Sequence, residues 1–118
     1  MYKRQLYFLF GARQPRGAAN LSPELGRSEV LVRVTALADD IRLRILHFIA
    51  QNGEQRSPDI IRQLDLSQSA ASRHLQQLSA TGYLNERWRE GSKWYSLNAD
   101  RIDDTFRALS RFLQASSS

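Results

Sequence analysis

The chain has 118 residues, 42% of them hydrophobic, enough for one small domain with a modest core. It has no cysteine, which excludes disulfides and thiolate metal sites, and no apolar run near the roughly 20 residues of a membrane span. The formal charge is +5 but unevenly placed: residues 1–26 carry +3 and residues 56–98 carry +2, while 27–55 and 99–118 are neutral. Net charge thus gives mild support to a polyanionic partner, and the placement of the arginines decides more.

Residues 1–20 differ from the rest. Leu6-Tyr7-Phe8-Leu9-Phe10 reads as a strand, followed by the turn-rich linker Gly11 to Gly17. A lone strand is not stable in water, and the two candidate partner strands farther on pair with each other. The stretch therefore reads as a remnant strand and linker closing a domain that precedes this sequence. Residues 1–5, with Tyr2-Lys3-Arg4-Gln5, read as a translated adapter remnant; the alternative is a flexible basic arm.

A first helix is predicted over Pro23–Ala38, with Ser22 as N-cap and Pro23 in the first turn. Leu31, Val34, Leu37 and Ala38 form its stripe, and Val30 and Val32 widen it. Asp39 or Asp40 caps a second helix with Ile41, Ile45, Phe48 and Ile49 facing the core, ended by Asn52-Gly53. Ser57-Pro58 starts a short third helix carrying Ile60, Ile61 and Leu64. After the turn Asp65-Leu66-Ser67, Ser67 caps a fourth helix closed by Gly82. Tyr83 to Arg89 and Lys93 to Leu97 are β-rich runs around the hairpin tip Glu90-Gly91-Ser92. Asn98-Ala99-Asp100 caps a last helix with Ile102, Phe106, Leu109 and Leu113 in register, and residues 116–118 read as a disordered tail. Two short helices joined by three or four residues, followed by a hairpin, make a winged helix-turn-helix over residues 21–115: mainly α, with a two-stranded β wing.

The fourth helix carries the chemistry. Ala71, Leu75 and Leu78 share one face, and Ser69, Ser72, Arg73 and Gln76 share the opposite one, with Gln68 in the first turn. Short or flexible hydrogen-bonding groups with one positive charge suit base edges and phosphates. Arg73 matches the fork of a guanine edge, and Gln68 suits adenine or a phosphate. On the hairpin, Arg87, Arg89 and Lys93 flank the tip as candidate phosphate contacts, with Glu86 and Glu90 offsetting part of their charge.

The segment from about Leu37 to Leu97 resembles the arsenical-resistance-repressor (ArsR) family of bacterial regulators. The resemblance lies in Ala36-Leu-Ala-Asp-Asp-Ile-Arg-Leu-Arg-Ile-Leu46, Leu66-Ser-Gln-Ser-Ala-Ala-Ser-Arg-His-Leu75, Leu78, Gly82-Tyr-Leu84, Arg89-Glu-Gly91 and Trp94-Tyr-Ser-Leu97. It implies DNA contacts at Gln68, Ser69, Ser72 and Arg73, with Ala70 offering only a methyl group, and pairing of subunits through the terminal helices. A homodimer also fits the residues themselves. The first and last helices carry more apolar surface, at Leu31, Val34, Phe106, Leu109 and Leu113, than one small domain readily covers.

Family members that sense metals through paired cysteines place them where this chain has Glu54-Gln-Arg-Ser-Pro-Asp59, and others use His and carboxylates on the last helix. Here that helix has Asp100, Asp103 and Asp104 without histidine, a poor zinc donor set that instead favours the helix N-terminus. His47 reads as a packed, hydrogen-bonded histidine at the core edge. His74 flanks the buried stripe, for packing or a phosphate hydrogen bond. Trp88 and Trp94 read as cover for a small core or an adjoining surface rather than as base-stacking platforms. No catalytic set, cofactor motif or metal site emerges.

These features point to a cytoplasmic transcriptional regulator, not an enzyme, that binds duplex DNA in a sequence-specific way as a repressor and homodimer, with no membrane partner. A protein-interaction module and a single-strand nucleic-acid binder are the alternatives.

Overall fold

The structure, a computed structural model, describes residues 25–115. The predicted strand Leu6–Phe10, its linker, the Ser22-Pro23 helix start and the 116–118 tail lie outside the described residues. Helices α1 (Arg27–Leu37), α2 (Asp40–Asn52), α3 (Ser57–Leu64), α4 (Gln68–Ala80) and α5 (Ala99–Ala115) surround a small sheet. Its strands are β1 (Gln55–Arg56), β2 (Leu84–Arg89) and β3 (Ser92–Leu97).

The helix ends follow their capping residues. Asp39 accepts a hydrogen bond from the Arg42 amide and starts α2, and Gly53, at φ 81°, ends it. Ser67 accepts from the Ala70 amide at 3.1 Å and starts α4. At its far end Gly82 takes φ 88°, which lets the Tyr83 amide reach back to the Leu78 carbonyl at 2.9 Å. Asn98 starts α5 by accepting from the Arg101 amide. The predicted first helix needs correction. Leu25 and Gly26 are not helical, and Gly26, in an extended conformation, stands as N-cap of α1. A glycine inside a helix costs about 1 kcal/mol relative to alanine, so the chain starts the helix after it.

The core joins Ile45, Leu46 and Ile49 of α2, Ile60 of α3, Leu75 and Leu78 of α4, and Tyr83, Leu84 and Tyr95 around the sheet. Ala36 supplies the contact from α1. The phase of α1 differs from expectation: Val30 is buried, while Leu31 and Val32 are exposed. The stripe on α5 is likewise covered only at its start. Ile102 packs against the core and Thr105 is buried, but Phe106 and Leu113 point to solvent at 58% and 64% exposure.

The sheet has three strands rather than the predicted two. The order is β1–β3–β2, all antiparallel, with Arg56 opposite Trp94 and Trp94 opposite Arg87. β1 is two residues long, too short to show any alternation in the sequence. Tyr83 pins the base of the hairpin. Its ring is fully buried, its hydroxyl donates to the Arg33 carbonyl at 2.8 Å, and Thr105 Oγ1 lies 2.7 Å away. One phenol thereby joins α1, α5 and the root of β2.

Candidate nucleic-acid interface

Helix α4 divides cleanly. Ala71, His74, Leu75 and Leu78 are buried, and Gln68, Ser69, Ser72, Arg73 and Gln76 are exposed. The thirteen residues of α4 span about 20 Å, enough to lie along a major groove roughly 12 Å wide. Among the described residues, Arg73 makes no hydrogen bond or ion pair. Its guanidinium therefore has all its donors available, on a helix fixed from behind by core contacts.

A half-buried cluster around His74 ties that helix to α1 and α2. Arg42 reaches from α2 to the end of α1, donating from Nε to the Ala36 carbonyl at 2.6 Å and from Nη2 to the Thr35 carbonyl at 3.2 Å. Its Nη1 lies 3.2 Å from His74 Nδ1, and Asp39 Oδ2 lies 3.9 Å from the same nitrogen. An arginine can only donate, so Nδ1 accepts and the His74 ring is neutral, with its proton on Nε2. Burial pushes the His74 pKa below its usual value; Asp39 opposes this, and the Arg42 and Arg73 charges add to it. The Arg42 amide, ahead of the guanidinium and His74, holds the Asp39 carboxyl below the usual carboxylate range against the effect of burial. His74 is thus a packed, hydrogen-bonded residue, the packing half of its sequence reading. Sequence reasoning missed Arg42. Its signal is the run Asp39-Asp-Ile-Arg42, where a capping aspartate precedes an arginine placed to meet the preceding helix's carbonyls.

The wing presents its cations differently. Arg87 meets Glu54 with both branches of its fork, Nε to Oε2 at 2.7 Å and Nη2 to Oε1 at 3.0 Å. Arg89 Nη2 lies 3.6 Å from Oε1 of the same carboxylate, and Lys93 lies 3.4 Å from Glu86. The Arg87 hydrogen bonds hold the Glu54 carboxyl below its ordinary range, against a smaller effect of burial, and they raise Arg87 in turn. The three candidate side chains lie near the tip, and each is paired with an acid.

The tryptophans part ways. Trp94 is half-buried under guanidinium groups, with Arg89 Cζ 4.1 Å and Arg56 Cζ 5.7 Å from its ring centre. Trp88 does not cover a core; it is 71% exposed, beside Lys93 Nζ at 5.6 Å. It lies toward the tip, beyond Tyr95, the last core residue of the hairpin, so no core residue covers it. Single-strand binders stack successive bases on several rings, and only one open indole stands here. His47 also departs from expectation. It is exposed on α2 and borders a shallow depression with Arg44, Phe48 and Leu64 instead of packing at the core edge. Among the described residues, no cluster of three or more His, Cys, Asp or Glu side chains could hold a metal ion.

A polar helix face backed by a core, with a basic hairpin beside it, defines a winged helix-turn-helix DNA-binding domain. The family model for bacterial regulatory proteins of the arsR family matches residues 39–86, from the cap of α2 into the wing. The transcriptional activator HlyU of Vibrio cholerae is 31% identical over 88 residues, covering 75% of this chain and 81% of that protein. The arsenic resistance transcriptional regulator ArsR1 of Pseudomonas putida is 39% identical over 64 residues, 54% of this chain and 50% of its own length. The solved structure of an ArsR-like transcriptional regulator from Rhodococcus sp. RHA1 superposes with a TM-score of 0.68 at 23% identity, over 76% of this chain and 84% of that one, and speaks for the fold alone. The chain belongs to the arsR family of bacterial regulatory proteins: it is a DNA-binding transcriptional regulator and not an enzyme.

Proposed function

We propose that this regulator reads duplex DNA through Gln68, Ser69, Ser72, Arg73 and Gln76 in the major groove, with Arg87, Arg89 and Lys93 on flanking phosphates, and that it represses transcription. The unpartnered Arg73 on a core-backed helix carries the reading. A side chain left without intramolecular partners on a rigid element suits an external bidentate acceptor. A repressor needs only to occupy its operator, whereas an activator needs a second surface for the transcription machinery. The protein acts in the cytoplasm, where such an operator lies.

The working unit is a homodimer. Leu31, Phe106 and Leu113 are each more than half exposed on two helices that pack on each other, with Val34 and Leu109 half-buried between them. A twofold pair buries that patch and sets two copies of α4 roughly 34 Å apart, so the operator is an inverted repeat. Selection from a random duplex pool tests the reading, and enrichment of an inverted repeat whose binding shuts off a reporter promoter is the expected result. No enrichment, or stronger binding to single strands, would overturn it. For the dimer, sedimentation of Phe106→Glu and Leu113→Glu beside the wild type decides; a wild type monomeric at tens of micromolar contradicts the pairing.

A further inference from the structure

We propose that Glu54 serves Arg87 and Arg89 as an internal stand-in for a DNA phosphate, so that the wing engages a duplex by exchanging this carboxylate for backbone oxygens. The inference rests on the duplex-binding reading above and adds a residue outside both the recognition helix and the wing. Its role is a brake on sequence-independent affinity.

Four observations carry it. The Arg87 fork on the two Glu54 oxygens, at 2.7 and 3.0 Å, is the arrangement in which guanidinium also grips a phosphate. Arg87 and Arg89 remain 60% and 42% exposed while so engaged, so an external anion can reach them without any part of the fold opening. Neither has a second carboxylate among the described residues, since Lys93 takes Glu86, and Asp59 takes Arg56 and Arg62. Glu54 itself sits on the connection between α2 and β1, across the sheet from β2, so leaving it does not require the hairpin strands to separate. Exposed ion pairs add little to folding, and an exchange of one anion for another is therefore easy. What the exchange leaves behind is an uncovered negative charge close to a polyanion. The depressed pKa of Glu54 agrees with a carboxylate that stays ionised in the free protein at neutral pH.

The test is E54Q, titrated beside the wild type with an operator and with a random-sequence duplex over a range of salt. Glutamine keeps the shape and removes the charge. E54Q should bind both duplexes tighter by the same factor, roughly fivefold to tenfold at 0.1 M salt, with a salt slope steeper by about one, the worth of one counterion. Arg87→Ala in the E54Q background should abolish the gain. Unchanged or weaker binding by E54Q, with wild-type binding intact, overturns the role of Glu54 alone; a wild type that binds no duplex overturns the DNA reading instead. A second readout needs no variant. The Arg87 Nε–Hε resonance of the wild type should move on adding duplex, and a resonance that stays in place refutes the exchange.

Discussion

The recognition helix and the wing both face solvent with polar side chains, yet they hold their cations in opposite ways. Arg73 has no partner among the described residues, whereas Arg87 and Arg89 share Glu54 and Lys93 meets Glu86. The backing differs as well. Ala71, Leu75 and Leu78 anchor α4 in the core, while Asn85 to Arg89 of β2 are all exposed. Base readout needs donors fixed in direction by a rigid support, and phosphate contact needs only positive charge that can be re-aimed. On the proposed reading, rigidity belongs to the element that reads and exchangeable pairing to the element that grips.

The most severe way to break this contrast is to remove the backing. Leu75→Ala, at a position 1% exposed, should destabilise the fold by about 2–5 kcal/mol. Denaturant unfolding checks it, and a loss under 1 kcal/mol would mean that α4 is not held from behind. Next, Arg73→Ala should lower operator affinity by about 1–3 kcal/mol and relax preference at one base position. Equal losses on operator and random duplex would make Arg73 a phosphate anchor like the wing. Replacing Arg89 and Lys93 with alanine should weaken all duplexes alike and flatten the salt slope by about 1 per lost contact. A change confined to the operator would give the wing a reading role and erase the distinction.

The mildest probe is pH. The His74 pKa is depressed below 6.5 by burial first and by Arg42 and Arg73 after it. As pH falls through 6.5 the unfolded chain takes up a proton that folded His74 resists, so stability is complete above this value and declines below it. Thermal unfolding between pH 7 and pH 5.5 should show a decline that His74→Gln abolishes, and operator affinity should decline with it while wing contacts persist. An equal slope in His74→Gln assigns the effect elsewhere.

Much of this contrast was legible in the sequence, unevenly so. The reading face followed from a 3.6-residue period and a serine cap, both local signals, and the turn from Asp65 to Ser67 and the α5 cap at Asn98 were equally local. The pairing of the wing was not legible, because Glu54 lies 33 residues from Arg87 in the chain. Glu86 and Glu90 were the visible acids, and only the sheet brings a third. β1 is too short to carry a pattern. In α1 the crowd of apolar residues at 30, 31, 32 and 34 pointed to a stripe through Leu31, whereas burial falls on Val30 and Ala36, with Val34 and Leu37 half-buried. His47 sits among apolar neighbours in sequence, but its side of α2 faces away from buried Ile45 and Ile49.

Tyr83 has a mechanical consequence. Its hydroxyl ties the first and last helices to the root of the hairpin, where the Asn98 amide also meets the Tyr83 carbonyl at 2.9 Å. From that pivot the six residues of β2 form an arm about 20 Å long. A rotation of roughly 5° at the pivot swings the tip by about 2 Å over such an arm, more than the spread of distances that a hydrogen bond tolerates. Anything that tilts α1 against α5 is magnified at the far end of the hairpin, so the terminal helices act as the short end of a lever whose long end, on the proposed reading, rests on DNA.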